Sequence, residues 1–348
     1  MKSVTQPPEK IVCRNLWKVF GNQPEQTIAT LAHDVTREQL LARTGQVVAV
    51  RNISFTVRTG ETFVVMGLSG SGKSTLLRCL PRLIDPTRGE ILIDNQSITD
   101  LDEPQLRHVR RYKLSMVFQH FGLFPHRSVL ENVAFGLEIQ GVKPVIRQQR
   151  ARAVLELVNL QQWGDYYPSQ LSGGMQQRVG LARALAVDPE ILLFDEPFSA
   201  LDPLIRREMQ DELLRLQDQL QKTLIFITHD FTEAIKLGDR IAIMKDGEFI
   251  QVGTPEALVL QPADEYVAAF TRDVPRAKVL TARAVMQPIG ATLTSDQTIS
   301  MAIKLEELIP MLTASDAVFP VVDEADQLVG CLDRTAVLRA LAEQPEPA

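Results

Sequence analysis

The sequence predicts an α/β protein on a mainly parallel sheet, followed by a small second α/β module. Three observations carry that reading. First, the run Thr62-Phe63-Val64-Val65-Met66 is apolar and breaks at once into Gly67-Leu68-Ser69-Gly70-Ser71-Gly72-Lys73-Ser74. A short, fully apolar strand that ends in glycines and a helix start reads as a buried strand of a parallel sheet. Second, residues 173–260 alternate helical and extended patterns, as the strands of such a sheet and their connections do. Third, Ile191-Leu192-Leu193-Phe194-Asp195-Glu196 is another apolar strand, and it ends in two carboxylates.

Residues 11–57 read as an early β region, interrupted at 21–50 by an insertion of helical character. Inside it, Thr36-Arg37-Glu38-Gln39 has the form of a capping box, and Gly45 is a C-terminal stop. Residues 58–120 hold the glycine-rich loop, a helix over 73–83 and the strand Leu114-Ser115-Met116-Val117-Phe118. Residues 121–172 read as a mostly helical subdomain, with Val154, Leu155, Leu157, Val158 and Leu160 in a stripe at helical spacing. These segments make one domain, 1–275. A separate module follows over 278–348: a helix at 299–312, strands at 317–322 and 328–332, and a helix at 335–341.

A glycine-rich loop between a strand and a helix aims backbone N–H groups at phosphate oxygens. Gly67, Gly70 and Gly72 allow close approach and unusual φ/ψ. Lys73 supplies a point charge for the terminal phosphates, and Ser74 a hydroxyl ligand for magnesium (Mg2+). Asp195 ends a strand whose interior is apolar, where an unpartnered charge is costly. A metal ion beside Ser74 is its natural partner. Glu196 is one residue on, so it points differently and can polarise an attacking water.

With these motifs in this order, the chain resembles the ATP-binding-cassette (ABC) transporter family over roughly residues 10–275. Leu171-Ser172-Gly173-Gly174-Met175 looks like that family's signature turn, with Met175 where glutamine is frequent. Gln119 matches its Q-loop, Ser199-Ala200-Leu201-Asp202 its D-loop, His229 its switch histidine, and Phe20 the aromatic that stacks on adenine. The resemblance implies a P-loop NTPase fold: a RecA-like core with an antiparallel β subdomain and a helical subdomain. It implies that ATP is bound by Phe20, Gly67, Ser69, Gly70, Ser71, Gly72, Lys73, Ser74 and Thr75, with Ser74, Gln119 and Asp195 holding Mg2+. Glu196, His229 and Gln119 are the implied catalytic residues. Ser172, Gly173, Gly174 and Asp202 would serve a nucleotide held by a second copy, so the implied assembly is a homodimer with two-fold closure.

The insertion, the stretch Arg82-Leu83-Ile84-Asp85-Pro86-Thr87-Arg88-Gly89 and the stretch Asp202-Pro203-Leu204-Ile205-Arg206 look like the glycine betaine/proline uptake ATPases. The implied function is an ATPase driving import of a quaternary amine or compatible solute. Importers of amino acids, choline or trimethylamine N-oxide stand as alternatives, and a non-transport cassette ATPase is less favoured. The tail resembles a single cystathionine-β-synthase (CBS) motif, with Asp333 and Ala336 where nucleotide-binding versions carry Ser/Thr and Asp. The implied partners are a membrane permease and an extracytoplasmic solute-binding protein.

Composition bounds the rest. A net charge of -6 with no basic tract argues against nucleic acid as a partner. No apolar run approaches the roughly 20 residues that cross a membrane, and no signal-peptide core is evident. Cys13, Cys79 and Cys331 lack metal spacing and read as reduced thiols. The expected place is therefore peripheral, on the cytoplasmic face of the inner membrane. The loop after Gln119, with Phe121, Leu123, Phe124 and Pro125, reads as a partner surface, and the resemblance implies that it faces the permease.

Overall fold

Buried apolar strands organise the first of two compact units, residues 1–250 and 251–348. The computed structural model describes residues 7–30, 37–119, 122–289 and 293–342. Thr36 of the expected capping box and Phe121 of the expected permease-facing loop lie outside them. The strands are β1 (Glu9–Phe20), β2 (Val47–Arg58), β3 (Thr62–Met66), β4 (Arg88–Ile93), β5 (Gln96–Ser97), β6 (Leu114–Val117), β7 (Ile191–Asp195), β8 (Thr223–Thr228), β9 (Arg240–Lys245) and β10 (Glu248–Gly253).

The central sheet has the order β10-β9-β3-β8-β7-β6. From β6 through β7, β8 and β3 to β9 every pairing is parallel. Every residue of β3, β7 and β8 is buried, which is why these strands read as continuous apolar runs rather than alternating ones. A second, antiparallel sheet has the order β2-β1-β4-β5. Its β4–β5 hairpin turns through Asp94 and Asn95, with φ of 51° and 61°, a primed turn that matches strand twist. Residues from both sheets share one core, where the Phe55 ring stacks on Phe63 at 5.1 Å and meets Phe249 edge-on at 5.6 Å.

The insertion forms helices Pro24–Thr30 and Arg37–Thr44. Gly45 stops the second at φ +66°, its N–H donating to Leu41 at 2.8 Å. The return strand begins at Val47, paired with Phe20, so the end of the 21–50 window is already sheet. The helix after the glycine-rich loop spans Lys73–Cys79, shorter than the expected 73–83. Pro81 has no N–H with which to continue it. Arg82 turns to φ 51°, held by Asp85 and by the carbonyls of Ile98 and Leu101.

Helices Val129–Ile139, Pro144–Leu157 and Gly173–Ala186 pack on one another. Ser128 and Glu131 form a capping box on the first. Asn132, fully buried, bonds both the N–H and the carbonyl of Phe124, and the Phe124 ring lies 4.6 Å from Phe135. The loop after Gln119 is therefore anchored inward. Leu123 and Phe124 are half-buried, and Pro125 is exposed.

In the second unit, β11 (Ile299–Ser300), β12 (Phe319–Val322) and β13 (Leu328–Leu332) form a three-stranded sheet in that order. The expected helix at 299–312 starts only at Leu305, because Ile299 and Ser300 pair in parallel with Val321 and Val322. Buried, β-branched Ile299 fits a pleated sheet better than a helix start. Asp333 accepts the Ala336 N–H at 2.7 Å, capping the last helix, Arg334–Ala342. Among the described residues no helix is long and apolar enough to cross a membrane.

The shared aromatic core yields a stability test. Phe63 is fully buried at the junction of the two sheets. Phe63→Ala should destabilise the first unit by about 3–5 kcal/mol, read by chemical denaturation. A loss under about 1 kcal/mol would show that the sheets collapse into the gap.

Candidate functional site

The site lies at the C-terminal ends of β3, β7 and β8, which the parallel register brings level: Met66 pairs with Thr228, and Asp195 with Ile227. The chain leaves β3 through the glycine-rich loop, whose glycines are enforced by contact. A Cβ at Gly67 would stand 2.2 Å from the Met244 carbonyl oxygen, and one at Gly72 would stand 2.0 Å from that of Ala49. Gly72 also has φ +110°, a conformation that L side chains rarely adopt.

Lys73 opens the helix and turns back into the loop. It is 4% exposed, and its ammonium donates to the carbonyls of Gly67 and Leu68 at 2.8 and 3.0 Å. The Glu196 Oε1 lies 3.7 Å away. Burial holds the Lys73 ammonium below the ordinary lysine range, against the pull of Glu196 and Asp195. Ser71 Oγ is buried with no hydrogen-bond partner in the protein. A buried donor without a partner, inside a cradle that a Cβ would fill, fits a phosphate chain.

Ser74 donates to Asp195 Oδ1 at 2.7 Å. The other carboxylate oxygen meets Arg78 Nη2 at 3.2 Å. The expectation did not include Arg78, although it stands one helical turn after Ser74 and so on the same face. Among the described residues no group of three or more His, Cys, Asp or Glu could hold a metal by itself. One hydroxyl with one carboxylate suits a hard ion that brings most of its oxygens from substrate and water.

Glu196 turns the chain out of β7 with φ 47°, an uncommon left-handed conformation for this residue type. Its carbonyl accepts from the N–H and the hydroxyl of Ser199, at 3.3 and 3.0 Å. Its Oε2 lies 2.9 Å from Nδ1 of His229, which follows β8. One carboxylate thus meets a buried cation on one oxygen and an imidazole on the other. A carboxylate contacted on both oxygens is held in one orientation at the end of β7.

Other expected site residues stand further out. Gln119 is exposed two residues beyond Val117, and Glu196 lies two beyond Val117's partner Phe194. Phe20 is 42% exposed at the end of β1, with the Lys18 ammonium 4.9 Å from its ring centre. It pairs with Val47, two residues before the Ala49 carbonyl that walls Gly72. Ser69 is exposed in the loop, and Thr75 half-buried in the first turn of its helix.

The Ser172 turn is a separate place on the chain. Its hydroxyl accepts from Met175 N–H at 3.4 Å and caps helix Gly173–Ala186. A Cβ at Gly174 would lie 2.5 Å from Ile205, and one at Gly173 would lie 3.8 Å from Leu201. Asp202 spends its carboxylate capping helix Pro203–Leu220, accepting from Leu204 and Ile205 N–H. The bonds of Ser172 and Asp202 are thus local, and both turns face outward.

A family model described as ABC transporter matches residues 50–199. The glycine betaine transport ATP-binding protein OpuAA of Bacillus subtilis is 56% identical over 82% of this chain and 68% of its own length. The glycine betaine/proline betaine transport ATP-binding protein ProV of Escherichia coli is 50% identical over 79% and 69%. The trimethylamine N-oxide transport ATP-binding protein TmoW of Ruegeria pomeroyi is 49% identical over 95% and 96%. Among solved structures, the dimeric ATP-binding cassette MJ0796 bound to ADP and Pi is 34% identical, with a TM-score of 0.59 over 70% of this chain and 98% of that one. The fold is therefore the P-loop ABC cassette, and the chain belongs to the ABC transporter family, among the glycine betaine and proline betaine transport ATP-binding proteins.

Proposed function

We propose that this chain is the ATP-hydrolysing subunit of an importer for a quaternary amine or compatible solute such as glycine betaine or proline. The observation that carries the reading is the Lys73–Glu196–His229 constellation, found in a chain 56% identical to a glycine betaine transport ATP-binding protein. In this reading Gly67, Ser69, Gly70, Ser71, Gly72, Lys73, Ser74 and Thr75 hold the phosphates, and Phe20 stacks on the adenine. Mg2+ is held by Ser74 and Asp195 with Gln119, and it supplies charge neutralisation at the phosphates when bound. Glu196 takes the proton of the attacking water, and His229 fixes its rotamer through the Nδ1 contact. Ser172, Gly173, Gly174 and Asp202 face the nucleotide of a second copy, which their outward position supports.

The wider assembly in this reading is a homodimer on the cytoplasmic face of a membrane, with a permease and an extracytoplasmic solute-binding protein. A second solute is supported by the likeness to TmoW, which is 49% identical over 95% of this chain. Trimethylamine N-oxide therefore stands beside the betaines. A panel of these solutes, each tested for stimulation of ATPase activity in the reconstituted complex, separates them. No stimulation by any betaine, by proline or by trimethylamine N-oxide would reject the reading. The β11–β13 sheet with its two helices supports a CBS-like role for residues 278–348 in regulation or dimerisation.

Glu196→Gln should keep nucleotide binding while lowering turnover at least about tenfold, and Lys73→Ala should weaken binding itself. ATPase rates and nucleotide titration check both. Unchanged turnover in the first, or unchanged affinity in the second, removes that residue from its role. Ser172→Arg places bulk where the partner's nucleotide would sit. In a Glu196→Gln background it should abolish the ATP-dependent dimer seen by sedimentation, and a persisting dimer places the turn elsewhere. Loss of residues 278–348 should leave basal ATPase near normal and flatten the salt dependence of uptake in proteoliposomes. Superimposable salt curves reduce the tail to a structural part.

A further inference from the structure

The stretch Asp202–Arg206 marks the branch, yet the reaction leaves Arg206 without a task. Its guanidinium sits where three segments meet. Nε donates to the Phe198 carbonyl at 3.3 Å and Nη2 to the Leu201 carbonyl at 3.1 Å, so it ties the turn that leaves β7 after Glu196. Nη1 lies 3.8 Å from Asp230 Oδ2, next in sequence to His229. The other Asp230 oxygen caps helix Phe231–Leu237 through the N–H groups of Thr232 and Glu233. One turn further along Arg206's own helix, Gln210 donates to buried Glu233 at 3.0 Å, a second grip on the same segment. Leu201 and Ile205, on either side of Asp202, pack against Gly173 and Gly174.

We propose that Arg206 is a positioning residue that sets the Glu196–His229 contact by joining the turn Phe198–Leu201 to the loop carrying His229. The inference rests on the reading of Glu196 and His229 as the reacting pair. Both ends of that pair hang from segments the guanidinium holds: Ser199 bonds the Glu196 carbonyl, and Asp230 follows His229 directly. Two carbonyl acceptors and one ion-paired carboxylate, each met by a different nitrogen, suit the fixed fork of arginine, and a lysine cannot reach them together. Because Leu201 and Ile205 also touch the Ser172 turn, displacement of that turn by a second copy passes through the same contact to His229.

The test compares Arg206→Lys with the original full-length chain by single-turnover phosphate release and steady-state ATPase. The expected result is a kcat lowered about tenfold, with KM for ATP within about twofold, since Arg206 touches none of residues 67–75. Asp230→Asn, which keeps a capping oxygen and removes the charge, should give the same kcat-only loss. In a His229→Ala background, Arg206→Lys should add less than about a twofold further loss, because the two act in series. The proposal is overturned by a kcat within twofold of the original, by losses that multiply in the double variant, or by melting of Arg206→Lys at the assay temperature. If His229→Ala and Glu196→Gln both leave turnover intact, the parent reading fails first and this inference with it.

Discussion

A buried ammonium is the constraint around which the nucleotide end of this chain is arranged. Lys73 sits in the mouth of its own loop, bonded to the carbonyls of Gly67 and Leu68 and facing Glu196 at 3.7 Å. A desolvated cation is tolerable only where oxygens are aimed at it from several directions. The carbonyls come from the loop, and the Glu196 carboxylate comes from the end of β7, one strand beyond β8, with Asp195 beside it on Ser74. That convergence requires a parallel sheet, since only parallel order places the ends of β3, β7 and β8 together. The buried apolar strands and the shared aromatic core keep that register from slipping.

Much of this was legible in the sequence, for a local reason. Apolar runs five or six residues long that end in glycine or carboxylate announce both a buried strand and what its end carries. The glycine-rich loop after β3 and the two acids at the end of β7 are of that kind, whereas His229 after β8 and the turn at Ser172 rest on resemblance to the family. What stayed hidden depends on partners distant in sequence. Ile299 and Ser300 carry a helical pattern but pair with Val321 and Val322. The helix from Lys73 stops at Cys79 because Arg82 finds Asp85, Ile98 and Leu101. The roles of Gln119 and Phe20 rest on resemblance more than on contacts, since both side chains face outward.

The glycines of the two loops do different work. Gly67 and Gly72 are glycine because backbone oxygens lie where a Cβ would go. Gly174 is glycine because the Ile205 side chain lies there. Gly72 thereby fixes how closely the loop approaches the second sheet and Gly67 how closely it approaches β9 of its own sheet, while Gly174 fixes how closely two helices approach. Asp202 and Ser172 then cap those helices with their own side chains, so the first-turn N–H groups of Met175, Leu204 and Ile205 are satisfied within the chain.

The wall facing Gly72 is the carbonyl of Ala49, near the start of β2. A carbonyl belongs to the chain path rather than to any residue type. The oxygen at 49 therefore acts whatever side chain the buried position carries, whereas a one-residue insertion or deletion in β2 would move it at once. The antiparallel sheet thus acts on the phosphate loop as a ruler of chain length, narrow in its tolerance of spacing.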